Sequence, residues 1–456
     1  MNRRGASSGL VFAALSAGIV SALGILLVPS IARAYDVSVS GAQWMLTVSL
    51  LAGVVATPVM GRLSDGRRKR TVLVASIVII GVGSVVCAVA PNFGIFLAGR
   101  VLQGLSYGIY PVAASVARRE LQGPTVRTTI SGLAVSGAVG TGLGYPISGA
   151  LAEIGSFRSA YVFGAVFMAA AVVVVLRVVR RDPARGEAAA APFDAWGALL
   201  LGSGLAPLLF WIAEGPRIGW VSPLAIGLVA ASLILLAGWV WRALAAAHPL
   251  VDVRSLVIPD VMIANLFALA FGVTLYVVCS GSGLVAQAPV DTGYGYGWGV
   301  AIAGFVMVPL TVGTSVANRV AGRFATEHAI LWVLPVAAGI AVVASALLVF
   351  FPGNVFGFYA GMLLAGAGLG AAQAAMPLMI GRRVSASDFG SAVSFNQVVR
   401  TAGGAVGSAV SGAVILATAN GTGFPSRAGI EFNFAVPGVI SLVAGLMVLA
   451  VAIWRR

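Results

Sequence analysis

The sequence predicts an all-α polytopic membrane protein, and three observations predict it. Hydrophobic residues make up 59% of the chain and charged residues 9%; a soluble domain is nearer half apolar and a quarter charged, so there is too little polar surface to face water. Apolar runs of about 20 residues recur from end to end, each long enough to cross a hydrocarbon core. The charges collect between the runs. A transmembrane β-barrel is excluded, because its strands are short and alternate apolar with polar residues.

Taken in order, the first run (9–32) follows Arg3 and Arg4. No small-residue cleavage site is evident and further spans follow, so it reads as a retained helix and not a signal peptide. Runs at 42–60 and 71–91 flank GRLSDGRRKR (61–70), where six of ten residues are charged. Runs at 95–117, 129–151 and 159–179 complete a first six-helix bundle, residues 1–180. The Arg-, Ala- and Pro-rich stretch RVVRRDPARGEAAAAPFD (177–194) marks its boundary. Two weaker runs, 195–213 and 222–243, form an inserted pair within residues 181–257. Runs at 258–281, 298–318, 329–350, 355–379, 389–417 and 434–454 make a second six-helix bundle, residues 258–456. The count is fourteen spans, or twelve if the inserted pair drops out.

The charges test that count. With the N-terminus in the cytoplasm, cytoplasmic segments hold 22 of the 28 basic residues and external loops hold four. An odd number of spans would scramble this alternation, so the excess of inside arginine supports a cell-membrane protein with both termini cytoplasmic. The same rule accounts for the net charge of +14 without any nucleic-acid partner. Cys87 and Cys279 lie inside apolar runs and read as small buried residues, with no disulfide framework and no metal site.

Two basic residues sit within spans. Arg400 falls about a dozen residues into the thirteenth span, roughly 18 Å along a helix rising 1.5 Å per residue and so near the midplane. Asn396 and Gln397 share its face. Arg100, Gln103 and Tyr107 form a similar stripe in the fourth span, with Tyr110 on its edge. Charged groups in the bilayer are expensive and usually face a cavity. The expectation is two polar stripes facing one another across a central cavity; the alternative for each arginine is burial against backbone carbonyls. All fourteen acids fall at helix ends or in loops, so any proton coupling would rest on boundary acids such as Asp36, Asp260 or Asp291. Such a cavity suits neutral or anionic amphipathic compounds better than cations, with Trp44, Tyr107, Tyr145 and Tyr276 as candidate stacking surfaces.

Small residues recur in the fifth span at Ser136, Gly140, Gly144 and Ser148, a ridge for close helix packing, and Pro146 should bend that helix. The thirteenth span carries two such ridges, Gly403–Gly407–Ser411 and Gly404–Ser408–Gly412.

These motifs resemble the major facilitator superfamily, in particular its fourteen-span drug:proton antiporter branch. GRLSDGRRKR resembles that family's signature between the second and third spans through Gly61, Asp65 and the basic cluster Arg67, Arg68, Lys69 and Arg70, with Gly66 where a basic residue is usual. RVLQGLSYG (100–108) resembles the fourth-span signature through Arg100, Gln103 and Gly104. GTGLGYPISG (140–149) resembles the fifth-span antiporter signature, including Gly140, Gly144 and Gly149, with Pro146 one residue late.

The resemblance implies a transporter that exports small amphipathic compounds by alternating access in exchange for protons; a proton-independent importer or facilitator of the same fold is the alternative. It implies that Asp65 latches the cytoplasmic side by accepting hydrogen bonds from a helix N-terminus in the second half, near SASDFGSAVS (385–394). Arg62 and the basic cluster would orient the loop toward anionic lipid headgroups. A monomer without cofactor is expected. An embedded enzyme is excluded by the lack of a His/Asp pair at catalytic spacing or a phosphate-binding motif.

Overall fold

The computed structural model describes residues 3–65, 68–122, 124–182, 194–246, 249, 253–254, 258–324, 330–382, 389–419 and 424–454. The helices in chain order are α1 (Arg3–Ala22), α2 (Val28–Ala34), α3 (Val39–Asp65), α4 (Lys69–Val89), α5 (Phe93–Gln103), α6 (Ile109–Glu120), α7 (Pro124–Ile154) and α8 (Phe157–Val178). They continue with α9 (Ala195–Ile218), α10 (Pro223–Ala245), α11 (Pro259–Gln287), α12 (Val300–Gly304), α13 (Met307–Phe324), α14 (Ile330–Phe350), α15 (Val355–Gly381), α16 (Phe389–Thr418) and α17 (Arg427–Trp454). Several starts follow from local capping. Asn92, Asp194, Ser222 and Asn354 each accept a backbone N–H from the first turn of the helix they open, satisfying a donor the helix itself leaves free.

Twelve helical segments among the described residues are long and apolar enough to cross a membrane, the lower of the two counts read from the sequence. Both members of the inserted pair, α9 and α10, are among them. The two expected spans outside the twelve are 95–117 and 129–151. The first is broken into α5 and α6 by a 3₁₀ turn at Gly104–Gly108. The second lies within α7, a helix of 31 residues.

Three expected spans are interrupted, 298–318 between α12 and α13 among them, and the other two breaks have local causes. The span 9–32 is broken between α1 and α2 by a 3₁₀ turn at Ile25–Leu27, entered through Gly24 at φ 103°. Only glycine adopts that conformation without strain, and Pro29, lacking an N–H, cannot continue the ladder back to Ile25. At Gly104 an added Cβ would stand 2.5 Å from the Ser49 carbonyl oxygen. The glycines at 104 and 108 thus let α3 lie directly against the broken helix.

The helices α1 to α8 pack mainly on one another, α1 against α7 and α8, and α4 against α5 and α8. A second group packs α11 against α15, α16 and α17, with α13 on α15 and α14 on α15 and α17. The groups meet where α3 lies along α16 and α7 along α12 and α13, and α9 and α10 lie beside the α3–α16 seam. Gly403 and Gly407 of α16 receive the α11 backbone at Leu269 and Val273; Gly404 lies between Tyr276 of α11 and Leu50 of α3, and Gly412 faces Gln43 of α3. In α7, Gly140 and Gly144 pack on Leu15, Ile19 and Ala22 of α1, so that ridge is an internal seam of one group. Gly149 instead meets Val300 of the other.

On the face where α1 begins, Asp182 accepts N–H groups from Arg70 (3.0 Å) and Thr71 (2.9 Å), the Thr71 hydroxyl (2.7 Å) and the Arg119 guanidinium (2.5 Å). Burial pushes its carboxyl upward, but these donors, Arg119 first, prevail and hold it below the ordinary value of 3.8. A depressed carboxylate lends stability that is complete above its unfolded value and lost as pH falls through the folded one. The Asp182→Asn protein is therefore expected to melt about 2–4 °C lower at pH 7 and to lose this acid-dependent step; matching melting curves at pH 7 would refute the clip.

Candidate functional site

A cavity of about 520 Å³ lies between the two groups of helices. Its polar lining comes from both: Ser21 of α1, Thr57 of α3, Ser106, Tyr107 and Tyr110 of the broken α5–α6 helix, and Thr141 and Tyr145 of α7 face Tyr276 of α11, Thr311, Thr314 and Asn318 of α13, Gln373 of α15, and Asn396, Gln397, Arg400 and Thr401 of α16. Tyr107 and Tyr276 share a hydrogen bond of 2.6 Å between their hydroxyls, bridging the groups at the cavity's roof. Arg400 is the one charged side chain among the described lining residues. It donates to the Gln397 side-chain oxygen and lies 5.1 Å over the Phe271 ring; both partners are neutral, so the positive charge stands uncompensated. The Asn396 amide turns away to α11, donating to the Ala264 carbonyl at 2.9 Å and the Asn265 side-chain oxygen at 3.0 Å.

Above the roof, toward the face opposite the start of α1, a set of polar contacts seals the seam. Gln43 donates to Ser280 at 2.6 Å and Thr47 to Ser408 at 3.0 Å. Gln287 donates to the Leu26 carbonyl at 2.8 Å, and the Ala301 N–H to Glu153 at 2.9 Å. No hydrogen bond between described residues joins the two groups on the other side of Tyr107. Each neutral hydrogen bond contributes about 0.5–1.5 kcal/mol net. The seal as a whole is therefore comparable to the few kcal/mol that separate interconverting conformers.

Arg100 and Gln103 require a correction. They do not line the cavity. Arg100 is 1% exposed, and its guanidinium donates to the Leu23 carbonyl (3.1 Å), the Met45 carbonyl (3.2 Å) and the Gln103 side-chain oxygen (2.6 Å). Gln103 passes the chain on to Ser84 at 2.8 Å. The cause is the break after α1: Leu27 bonds back to Gly24, leaving the Leu23 carbonyl without a helical partner, and Arg100 fills that vacancy. Tyr107 does face the cavity, with Gln397 and Arg400.

The loop between α3 and α4 is partly visible. Lys69 donates to Ser115 at 2.7 Å and Arg70 to the Leu176 carbonyl at 2.6 Å, so both clip α4 to neighbours in its own group. Arg68 is exposed and Gly61 has open space beside it. Asp65 ends α3, but its side chain, Arg67 and residues 385–388 of the expected dock (385–394) lie outside the described residues; the rest of the dock opens α16. Gly140 and Gly144 face α1, as described; Pro146 contacts Gly304, and Gly149 contacts Val300. Asp36, Asp260 and Asp291 do not line the cavity. Sequence reasoning missed Gln373, Asn318 and the threonines of α13, and the Gln43–Thr47 stripe of the seal. The last was recoverable as two polar residues four apart in an apolar helix.

Among the described residues, two helical groups enclose a polar cavity closed at one face, the architecture that alternating access requires. The sequence pattern of the Major Facilitator Superfamily matches residues 9–408, and the chain belongs to that family. It is similar to an uncharacterised MFS-type transporter of Mycobacterium tuberculosis, 26% identical over 90% of this chain and 59% of the relative. It is also similar to the multidrug resistance protein B homolog of the same organism, 28% identical over 53% of this chain and 47% of the relative. The chain thus spans between about half and three-fifths of the length of these relatives. Among solved structures, the nucleoside transporter NupG superposes at a TM-score of 0.65 with 13% identity, covering 99% of this chain and 99% of that one. The human organic anion transporter MFSD10 gives 0.60 with 15% identity, covering 98% and 100%. At these identities the likeness is one of fold. Transporters of this family are not enzymes.

Proposed function

We propose that the protein exports small amphipathic compounds from the cytoplasm by alternating access, and that it carries anions in preference to cations. The observation that carries this reading is Arg400, an uncompensated cation in a cavity walled by Tyr107, Tyr110, Tyr145 and Tyr276. A guanidinium at low dielectric is stabilised by an anion and repels a second cation. The positive-inside count supports a cytoplasmic start of α1; on that orientation the sealed face is external and the described conformation is open inward. The similarity to a multidrug resistance homolog supports outward export, and α9 and α10 support a fourteen-span architecture without fixing the coupling ion. In the outward-open state Asp65 is proposed to latch the cytoplasmic side.

A susceptibility panel comparing cells with and without the protein tests direction and substrate class together. Protection against amphipathic anions is expected, and sensitisation would favour import. In vesicles, Arg400→Ala is expected to lower transport of an anionic substrate about tenfold or more, while a neutral analogue changes less than about twofold; an equal loss for both would make Arg400 structural.

A further inference from the structure

We infer that the substrate's own charge, moved through the membrane potential, drives transport, with no proton exchanged. The inference rests on the reading of the cavity as an anion exporter. Arg400 is the one charge among the described lining residues, and its partners Gln397 and Phe271 are neutral. The empty cavity therefore carries one positive charge, and the cavity holding a monoanion carries none.

Alternating access connects this cavity first to the cytoplasmic and then to the external potential. One charge thus crosses the field in the empty step even though the guanidinium hardly moves relative to α16. An inside-negative potential leaves the loaded outward step unaffected and draws the empty, positive cavity back to face the cytoplasm. Each cycle sends one negative charge out. The gradient this sustains for a monoanion is tenfold per about 60 mV. Exchange for a proton would instead need a group titrating near neutral pH and reachable from the cavity in both states. The described lining offers tyrosines, amides and hydroxyls for that task, while Glu153 and Glu214 are held beyond the seal by Ala301 and Trp44.

The test uses the full chain in proteoliposomes, with a potassium diffusion potential set by valinomycin. The probe is naphthalene-2-sulfonate, a monoanion at every working pH, and naphthalene-2-sulfonamide is its neutral counterpart. The sulfonate is expected to accumulate on the positive side, up to tenfold per about 60 mV, and to ignore an imposed pH gradient. Exchange of sulfonate for sulfonate should be insensitive to voltage in the unaltered protein and in Arg400→Lys, and sensitive in Arg400→Gln, whose loaded cavity is negative. Sulfonate flux that follows the pH gradient and ignores the potential would overturn the inference and leave the anion reading standing. Transport of the sulfonamide alone, or of neither compound, would overturn both. The unaltered protein decides these outcomes even if a variant fails to fold.

Discussion

The Arg100→Leu protein is expected to lose its detergent-stable, monodisperse form, with a melting temperature lowered by about 10 °C or more. Leucine would leave the Leu23 and Met45 carbonyls and the Gln103 side chain without the donor they now share. Each buried polar group left unsatisfied costs about 1–3 kcal/mol, and whole-domain stabilities are only about 5–15 kcal/mol. Lysine would not rescue it, because one ammonium cannot reproduce the planar fork that reaches three acceptors. The contrast is Arg400→Leu, which removes a half-buried cation with one side-chain acceptor and is expected to fold. Size-exclusion profiles and thermal unfolding of the two variants side by side check this; a well-behaved Arg100→Leu protein would refute the structural role.

The second large effect is conformational. At Gly149 any side chain would run into the Val300 backbone, and backbone cannot move aside as a flexible side chain can. Gly149→Leu is expected to force α7 and α12 apart, unseating the adjoining Glu153–Ala301 contact and biasing the protein away from the described conformation. Transport should fall at least about tenfold. A cysteine placed at Gln43, in a background with Cys87 and Cys279 replaced by alanine, should become reactive to an impermeant thiol reagent from outside. Unchanged labelling would show that α7 and α12 do not control the seal.

Much of the fold was legible because the bilayer leaves few choices. Spans follow from uninterrupted apolar length. The interruptions were less legible. Gly24 and Gly104 sit in runs whose hydropathy is unbroken, and what ends the helix there is a dihedral angle or the approach of α3. The cavity was half legible for a related reason. Arg100–Gln103 and Gln397–Arg400 are the same pair at the same spacing in opposite order, and no local rule separates them. Their fates diverge because one lies beside a carbonyl released by a distant break, whereas the other lies beside an aromatic ring and open space. The seal was least legible, since Gln43 and Ser280, or Thr47 and Ser408, are single polar residues hundreds of positions apart. The basic cluster after α3 was visible at once as charge, but its partners Asp182, Ser115 and Leu176 come from other segments.

The turn between α1 and α2 also sets a resting preference. Beyond the acceptor taken by Arg100, it presents a second, the Leu26 carbonyl, which Gln287 reaches from the opposing half across the sealed face. Parting the halves there leaves the Leu26 carbonyl without that donor, while the Gln287 amide keeps the Gly283 carbonyl of its own helix. On the proposed alternating-access cycle, the cost of breaking this tie falls on every opening at that face, and bound substrate is expected to offset it.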